Sequence, residues 1–313
     1  MLQLVLGRAK TGKSTLLESR VAQRAAQGRE VLFLVPEQAS YQTESRLFSA
    51  LPHGDFSRVQ VLSITRLCET IFSQNGGLSV PDLTGVGAAS LMASAFYETK
   101  DQLRLYGGQP VTEGFLSALI AAREEFQNMG LSPQAIDEAA QALGSPALQD
   151  KLGDFSAVFA AFDALLDRSF TDEPGKIYRA IDRRGDFFLG KSVFVDAFTG
   201  FTKPQHDLLD CILREAEEVT VALCCDDPWQ GDGRELSPFY EARKTARRLA
   251  RSCREMGVGV AEPERLDPPR FASADLRQVE AAFAGRQPAP LEEGKVRVFA
   301  APDRFAECDW AAA

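Results

Sequence analysis

The stretch MLQLVLGRAKTGKSTLL, Met1–Leu17, decides how the chain is read. LQLVL (2–6) is a short apolar run of strand type. GRAKTGKS (7–14) then satisfies G-x-x-x-x-G-K-[ST] through Gly7, Gly12, Lys13 and Ser14, and a helical pattern follows. In such a loop the glycines let backbone N–H groups turn toward phosphate oxygens. Lys13 is placed to pair with the β- and γ-phosphates and Ser14 to ligate Mg2+. The helix after Lys13 adds its positive end. The expectation is a nucleotide site made of Gly7, Arg8, Ala9, Lys10, Thr11, Gly12, Lys13, Ser14 and Thr15, holding ATP and Mg2+. A chance glycine-rich turn would lack this strand-before, helix-after context.

Outward from that loop the chain alternates. STLLESRVAQRAAQG (14–28) is a helix stopped by Gly28, EVLFLV (30–35) a fully apolar strand ended by Pro36, and EQASYQTESRLFSAL (37–51) a helix. VQVLSI (59–64) is a strand and TRLCETIF (65–72) a helix. This order predicts a parallel sheet with right-handed crossovers. From about Pro81 to Gly185 only helical periodicity is present. SLMASAFYETKDQLRLYG (90–107) and TEGFLSALIAAREEFQNMG (112–130) read as long amphipathic helices. LSPQAIDEAAQALG (131–144) has Ser132 as N-cap, Pro133 at its first position and Gly144 as stop. Phe155, Phe159, Phe162, Leu165 and Leu166 share one face of a further helix and read as core. The α/β pattern returns with SVFVDAF (192–198), a helix over 203–215, EVTVALCC (218–225), and a helix over 237–257 capped by Ser237 with Pro238 at its first position. Residues 263–294 read as a Pro- and charge-rich connector, KVRVFAAP (295–302) as one more strand, and DRFAECDWAAA (303–313) as the first turns of a helix. A domain seldom stops there, so a piece of a longer protein is expected.

Of the 313 residues 45% are hydrophobic and 25% charged, as in an ordinary globular protein, and no apolar run is long enough to span a bilayer. No signal-peptide pattern opens the chain, so a cytoplasmic protein with no membrane association is expected. The six cysteines form no C-x-x-C pair and the two histidines lie far apart in sequence, so buried reduced thiols are expected in place of a metal site. A formal charge of −9 argues against a generally basic nucleic-acid binder, though not against a local basic groove. One basic run, with Arg243, Lys244, Arg247, Arg248, Arg251 and Arg254, is either such a groove or a solvated helix face.

A phosphate loop needs a carboxylate at the end of a neighbouring strand to hold Mg2+ through water, and VFVDAF offers Asp196. DAFTGFTKPQ (196–205) then parallels the superfamily-one helicase motif D-E-F-Q-D-T-N-x-x-Q at Asp196, Phe198, Gln205 and, offset by one, Thr202. Ala197 stands where the catalytic Glu is expected. LVPEQASYQTESRL (34–47) occupies the place of a helicase segment that touches single-stranded DNA. VLSITRLCETIF (61–72) resembles the helicase stretch T-F-H-x-L-C/A-x-x-I-L. In ALCCDDP (222–228), Asp226 and Asp227 match a helicase V-G-D-D-D-Q, whereas Pro228 replaces the Gln that senses the γ-phosphate.

Together GRAKTGKS, LVPEQASYQTE and VDAFTGFTKPQ make the chain similar to the N-terminal part of the AddB-type (RexB-type) subunit of bacterial AddAB helicase–nucleases. The resemblance implies a superfamily-one helicase-like P-loop α/β fold. Its parts would be 1–80, an inserted all-helical subdomain at 81–185, the second α/β part at 186–262, and a connector with the start of a second helicase-like domain at 263–313. It implies a role in double-strand-break processing and recombinational repair, beside an AddA-type partner that carries the motor. It implies contact with single- and double-stranded DNA ends, for which Gln38, Ser40, Thr65, Arg66, Arg247, Arg248 and Arg251 are the candidates. In that family the nuclease domain and its iron–sulfur cysteines lie beyond Ala313, and recognition of the regulatory Chi sequence belongs to the whole complex. The expected state of this part is a degenerate, non-translocating module that binds ATP, with no residue named as catalytic. Two rivals stay open: a working P-loop kinase or ATPase, and an interaction scaffold whose phosphate loop is vestigial.

Overall fold

A computed structural model describes residues 1–77, 80–229, 237–287 and 289–312. β1 (Leu2–Leu6) leads through the glycine-bounded loop into α1 (Lys13–Ala26). There follow β2 (Val31–Leu34), α2 (Glu37–Ala50), the single turn α3 (His53–Phe56), β3 (Val59–Leu62) and α4 (Ile64–Asn75). Helices come next: α5 (Gly85–Thr99), α6 (Glu113–Met129), α7 (Pro133–Gln141), α8 (Pro146–Ser169) and α9 (Glu173–Arg183). The chain returns to the sheet with β4 (Ser192–Val195), α10 (Lys203–Glu215), β5 (Glu218–Leu223), α11 (Tyr240–Glu255) and β6 (Glu264–Arg265). It continues through α12 (Ala274–Phe283) and α13 (Arg304–Ala312).

The six strands form one sheet in the order β3-β2-β4-β5-β1-β6, with every pairing parallel. Parallel strands need crossovers, and helices cover both faces. That explains the unbroken apolar runs. Leu4, Leu6, Leu34, Val195 and Leu223 point to one face, against α4, α9, α10 and α11. Val5, Phe33, Phe194 and Ala222 point to the other, against α1 and α2. The period-two alternation of strands places neighbours in sequence on opposite sides. Burying each such side chain is worth about 1.5–3 kcal/mol.

Helices α5 to α8 pack around a separate cluster that includes Phe96, Leu119, Phe159 and Phe162, so the aromatic stripe of α8 is core. Buried Asp154 of α8 accepts the backbone N–H groups of Arg104, Leu105 and Tyr106, each at 2.8 Å. These bonds explain a departure from the sequence reading. The helix expected over 90–107 ends at Thr99 and tightens into a 3-10 turn over Lys100–Gln102, after which the backbone donors of 104–106 turn to this carboxylate instead of a helical ladder.

Three other expectations change. Ser237 does not cap a helix that starts at Pro238; it begins a turn in which Tyr240 N–H donates to its carbonyl, and α11 starts at Tyr240. KVRVFAAP forms no strand over 295–302. Alternation without a partner strand does not make one; Val298 stays 95% exposed and Phe299 stacks on Trp310 of α13. The stretch read as a connector holds β6 and α12, and its backbone pairs with β1.

Candidate functional site

Because all strands run the same way, the loops after their C-terminal ends share one edge of the sheet, where open parallel sheets form ligand crevices. That edge gathers the loop after β1, the starts of α2 and α4, Asp196 after β4, Asp226–Asp227 after β5, and residues 266–270 after β6.

The loop from Gly7 to Gly12 wraps around one carbonyl. Thr11 Oγ1 donates to the Arg8 oxygen at 3.0 Å, and Lys13 Nζ donates to the same oxygen at 2.8 Å. Lys10 (φ 60°) and Gly12 (φ 94°) lie in the left-handed region, which bends the backbone back toward its own mouth. Gly7 is fixed by space: a Cβ there would stand 2.4 Å from Thr11 Oγ1 and 2.9 Å from the Leu266 carbonyl oxygen. The N-terminus of α1 has no side-chain cap and no acidic residue in its first turn, so α1 itself supplies no group that neutralises its positive end. Ala9, Lys10, Ser14 and Thr15 are at least partly exposed, whereas Arg8 and Thr11 are buried. The arrangement can accept an anion of phosphate type.

Asp196 is buried, with its N–H bonded to the Leu34 carbonyl at 3.0 Å. Among the described residues its carboxylate takes no hydrogen bond and no ion pair, so it is free to serve a cation. The strand that carries it is not the neighbour of β1. β5 lies between them, which sets β4 about 10 Å from β1 at the usual strand spacing. Reach to a metal held by Ser14 would be through water. The next residue, Ala197, has φ 64°, a conformation that costs an L-residue roughly 1–2 kcal/mol.

Other residues matched to helicase motifs have structural partners. Gln205 accepts the Thr202 N–H at 3.1 Å and closes the start of α10. Asp226 takes two hydrogen bonds from Arg243, at 3.0 and 2.6 Å. Asp227 pairs with Arg265 at 3.1 Å. Burial raises the Asp227 pKa, but the Trp229 N–H and Arg265 outweigh it and hold the carboxyl below its ordinary value.

The candidate DNA residues divide. Gln38, Thr65 and Arg66 are exposed at the starts of α2 and α4, side by side because β2 and β3 pair; Ser40 is buried and donates to the Glu37 carbonyl at 2.8 Å. Arg66 lies 3.9 Å from Glu44. On α11, Arg247 donates to the Pro228 carbonyl and Arg248 reaches Asp207 and Asp210 of α10 at 3.9 and 4.0 Å, whereas Arg251 is exposed. Part of the basic run therefore braces the β5 loop and α10.

Buried Cys68 and Cys225 have thiols pushed up to about 12 by burial, which leaves them unreactive at neutral pH. No helix among the described residues is long and apolar enough to cross a membrane.

Two residues at the loop carried no sequence signal. Glu280 of α12 lies 3.2 Å from the buried Arg8 guanidinium, and the Arg270 guanidinium lies over Gly12. Both belong to the stretch read as a connector, and no local motif marks either one.

The family model described as "ADDB, N-terminal" matches residues 4–280. The chain is 33% identical over 326 residues to a protein of Desulforudis audaxviator (strain MP104C) that is named as the B-type subunit of an ATP-dependent helicase/deoxyribonuclease, covering 99% of this chain and 28% of that protein. A protein of the same name from Heliobacterium modesticaldum (strain ATCC 51547 / Ice1) is 32% identical over 333 residues, with 99% and 27% covered. One from Caldanaerobacter subterraneus subsp. tengcongensis is 27% identical over 278 residues, with 86% and 24% covered. The chain thus spans about a quarter of the length of these relatives. With a match that runs from β1 into α12 and takes in both the phosphate-type loop and Asp196, this chain belongs to the AddB N-terminal family.

Proposed function

We propose that this chain is a nucleotide-binding, non-translocating helicase-like module of an AddB-type subunit, working in the repair of DNA double-strand breaks. The relatives' name, which assigns them to an ATP-dependent helicase/deoxyribonuclease, supports membership of such a complex. The observation that carries the nucleotide reading is the loop itself: Lys13 and Thr11 gathered on one carbonyl, left-handed Lys10 and Gly12, and an uncapped α1 above them. These residues fit a Mg-nucleotide. Gly7–Thr15 would hold its phosphates, Ser14 would ligate Mg2+, and Asp196, with no partner of its own, would complete the metal shell through water. The bound nucleotide would supply a phosphoanhydride and a conformational signal.

Turnover is a separate matter. Hydrolysis needs an oriented water and donors for charge that develops in the transition state. Ala197 has no group to orient water, and Pro228 has no side-chain donor. Loss of such a base typically costs about 10²–10⁴-fold in rate. Translocation would then belong to an AddA-type partner, with the nuclease and Chi-reading functions in the whole complex. DNA would meet this module at the starts of α2 and α4, where Gln38, Thr65 and Arg66 are exposed on the shared edge.

The test is Mg-ATP binding by the chain, with turnover measured with and without single-stranded DNA. Binding should fall roughly 10–100-fold in Lys13→Ala, the scale of a lost charge-assisted contact. Turnover should stay far below motor rates, in Ala197→Glu as well. DNA-stimulated turnover at motor rates, abolished by Lys13→Ala, would establish a working ATPase and defeat the non-translocating reading. Absence of binding would leave the loop vestigial.

A further inference from the structure

We propose that the cleft between the helical body α5–α8 and α9 is a docking site for a segment of a partner protein that presents an arginine beside a large apolar side chain. The cleft shares no residue with the phosphate loop or with the candidate DNA contacts, so the proposal stands apart from the nucleotide reading.

Three elements make the cleft. The end of α6 and the turn after it give Gln127 and Leu131, the last turns of α8 give Asp163 and Asp167, Phe170 follows α8, and Tyr178 comes from α9. The volume is about 540 Å³, in the range of ligand clefts. Leu131, Phe170 and Tyr178 are exposed large side chains. Such residues are ordinarily scattered singly, and here they line one cleft.

Its carboxylates are not alike. Both oxygens of Asp172 are engaged, Oδ1 by the Gly175 N–H at 2.9 Å and Oδ2 by Arg123 at 3.0 Å and Gln127 at 3.3 Å. Asp163 is half engaged: Oδ1 takes two hydrogen bonds from Arg123, whereas Oδ2 takes none among the described residues, although the side chain is 35% exposed. Asp167, exposed and one turn further along α8, has neither donor nor cation among the described residues. The cations of the lining are already occupied. Arg123 serves Asp163 and Asp172. Arg179 donates to the Gly77 carbonyl at 2.8 Å and lies over the Phe72 ring, and neither of those residues lines the cleft. What stays open is Asp163 Oδ2 and both oxygens of Asp167, two like charges that repel at this helical spacing. Burial holds the Asp163 carboxyl above its ordinary value, with Arg123 opposing and Asp172 and Asp167 adding to it.

A cation entering the cleft would relieve both the burial and the repulsion. A guanidinium suits the place better than an ammonium, because its planar fork of donors can meet two carboxylates a turn apart. An apolar neighbour of that arginine would lie on Leu131 and Phe170. The cleft also borders the junction of the two bodies. The segments that enter and leave the helical body pair there: the Leu83 N–H donates to the Thr171 carbonyl at 2.8 Å and the Thr171 N–H to the Pro81 carbonyl at 3.0 Å, and Thr171 lines the cleft. Docking would therefore hold the helical body against α9.

The experiment is a chemical-shift titration of the isotope-labelled chain with acetyl-leucyl-arginyl-leucinamide, beside the neutral citrullyl peptide and free spermidine. The arginyl peptide should shift the amides of Leu131, Asp167 and Phe170 with a dissociation constant on the order of 1 mM. The citrullyl peptide should bind roughly tenfold more weakly, the scale of one charge-assisted bond, and Asp167→Asn should lose a similar factor. Leu131→Asn should weaken the arginyl peptide through the apolar wall. Glu98→Gln, exposed on α5 and removing the same charge, should change binding less than about twofold. The bound peptide should slow amide exchange at Leu83 and Thr171. Equal binding of the arginyl and citrullyl peptides, or unchanged binding in Asp167→Asn, would overturn the proposal. Spermidine bound as tightly as the arginyl peptide would overturn the protein partner and make the cleft a polyamine site. No shift of these amides at millimolar peptide would overturn the site itself.

Discussion

Removing the Glu280 carboxylate should loosen the strap formed by residues 264–283 from the phosphate loop by an amount that the structure bounds. Glu280 Oε2 lies 3.2 Å from Arg8 Nη1, and the two side chains are 12% and 7% exposed. Neither group finds a hydrogen-bond partner of good geometry, so charge alone links them. At an effective dielectric of about 20 the Coulomb attraction at that distance is about 5 kcal/mol. Breaking a buried pair from one side typically costs about 3–5 kcal/mol, because the other charge stays buried. In Glu280→Ala, Arg8 can recover solvent only if α12 lifts away. The cost should therefore appear as local opening of the strap, with the sheet intact. Amide exchange of Ala274–Phe283 should quicken about 100-fold, equivalent to about 3 kcal/mol, while β2 and β4 keep their protection. Arg8→Met alone should do the same. The double variant Arg8→Met, Glu280→Leu should restore most of the protection, since it removes both charges and keeps the packing. Exchange of α12 in Glu280→Ala within about threefold of the unaltered chain would refute the reasoning, as would a double variant no better than either single one.

Two further outcomes follow from the side-chain environments. His206 is held down to about 4 by burial first, then by nearby Arg248, with Lys203 and Lys244 in the same sense and Asp207 opposing. The unfolded chain therefore binds the proton more readily, so stability present above about pH 6.5 should be lost as pH falls toward 4. The loss should amount to about 2 kcal/mol between about pH 7.5 and 5, and urea titrations of His206→Phe should lack that component. Single-stranded DNA binding, measured by anisotropy with an oligothymidine, should weaken steeply with salt and weaken further in Arg66→Ala. A loss in Arg251→Ala with none in Arg66→Ala would move the contact to α11.

What the sequence disclosed follows from the range of the interactions involved. β1, the loop and α1 were legible because spacing, glycines and the helical run all lie within Leu2–Ala26. The buried character of β2, β4 and β5 showed in their unbroken apolar runs. The order of those strands did not, because it depends on which crossovers pass over which faces. The expectation that Asp196 ends a neighbouring strand gave way to a strand one further along. β6 is two residues, Glu264–Arg265, with no apolar alternation to mark it; its pairing comes from Val5 and Leu6. KVRVFAAP shows the reverse, a strand pattern that pairs with no strand among the described residues. The charges on α11 left two readings open for a related reason: a run of arginines looks the same whether it faces solvent or, as Arg243 and Arg248 do, reaches carboxylates brought in by β5 and α10.

Under the proposed function, Ala197 bears on binding against turnover in a second way, beyond the absence of one carboxylate. Its backbone sits at φ 64°, between β4 and the turn that Thr202 and Gln205 close at the start of α10. A side chain leaves a left-handed residue in a different direction from one in extended backbone at the end of a strand. A Glu at 197 would thus enter with its stem already aimed by the turn, and with the same backbone cost of roughly 1–2 kcal/mol that Ala now bears. The phosphate loop makes the opposite use of that conformation: at Lys10 and Gly12 the left-handed bends turn the backbone toward an anion. The two loops answer different demands at one edge of the sheet. The first is braced on both sides, by α1 and by the strap, in the geometry that phosphates need. In the proposed reading the second has no water-orienting group at Ala197 and offers Asp196, a carboxylate that a bound cation could use. On that proposal, nucleotide binding would depend on the first loop and that one carboxylate, and hydrolysis would require rebuilding the second loop's backbone as well as its side chain.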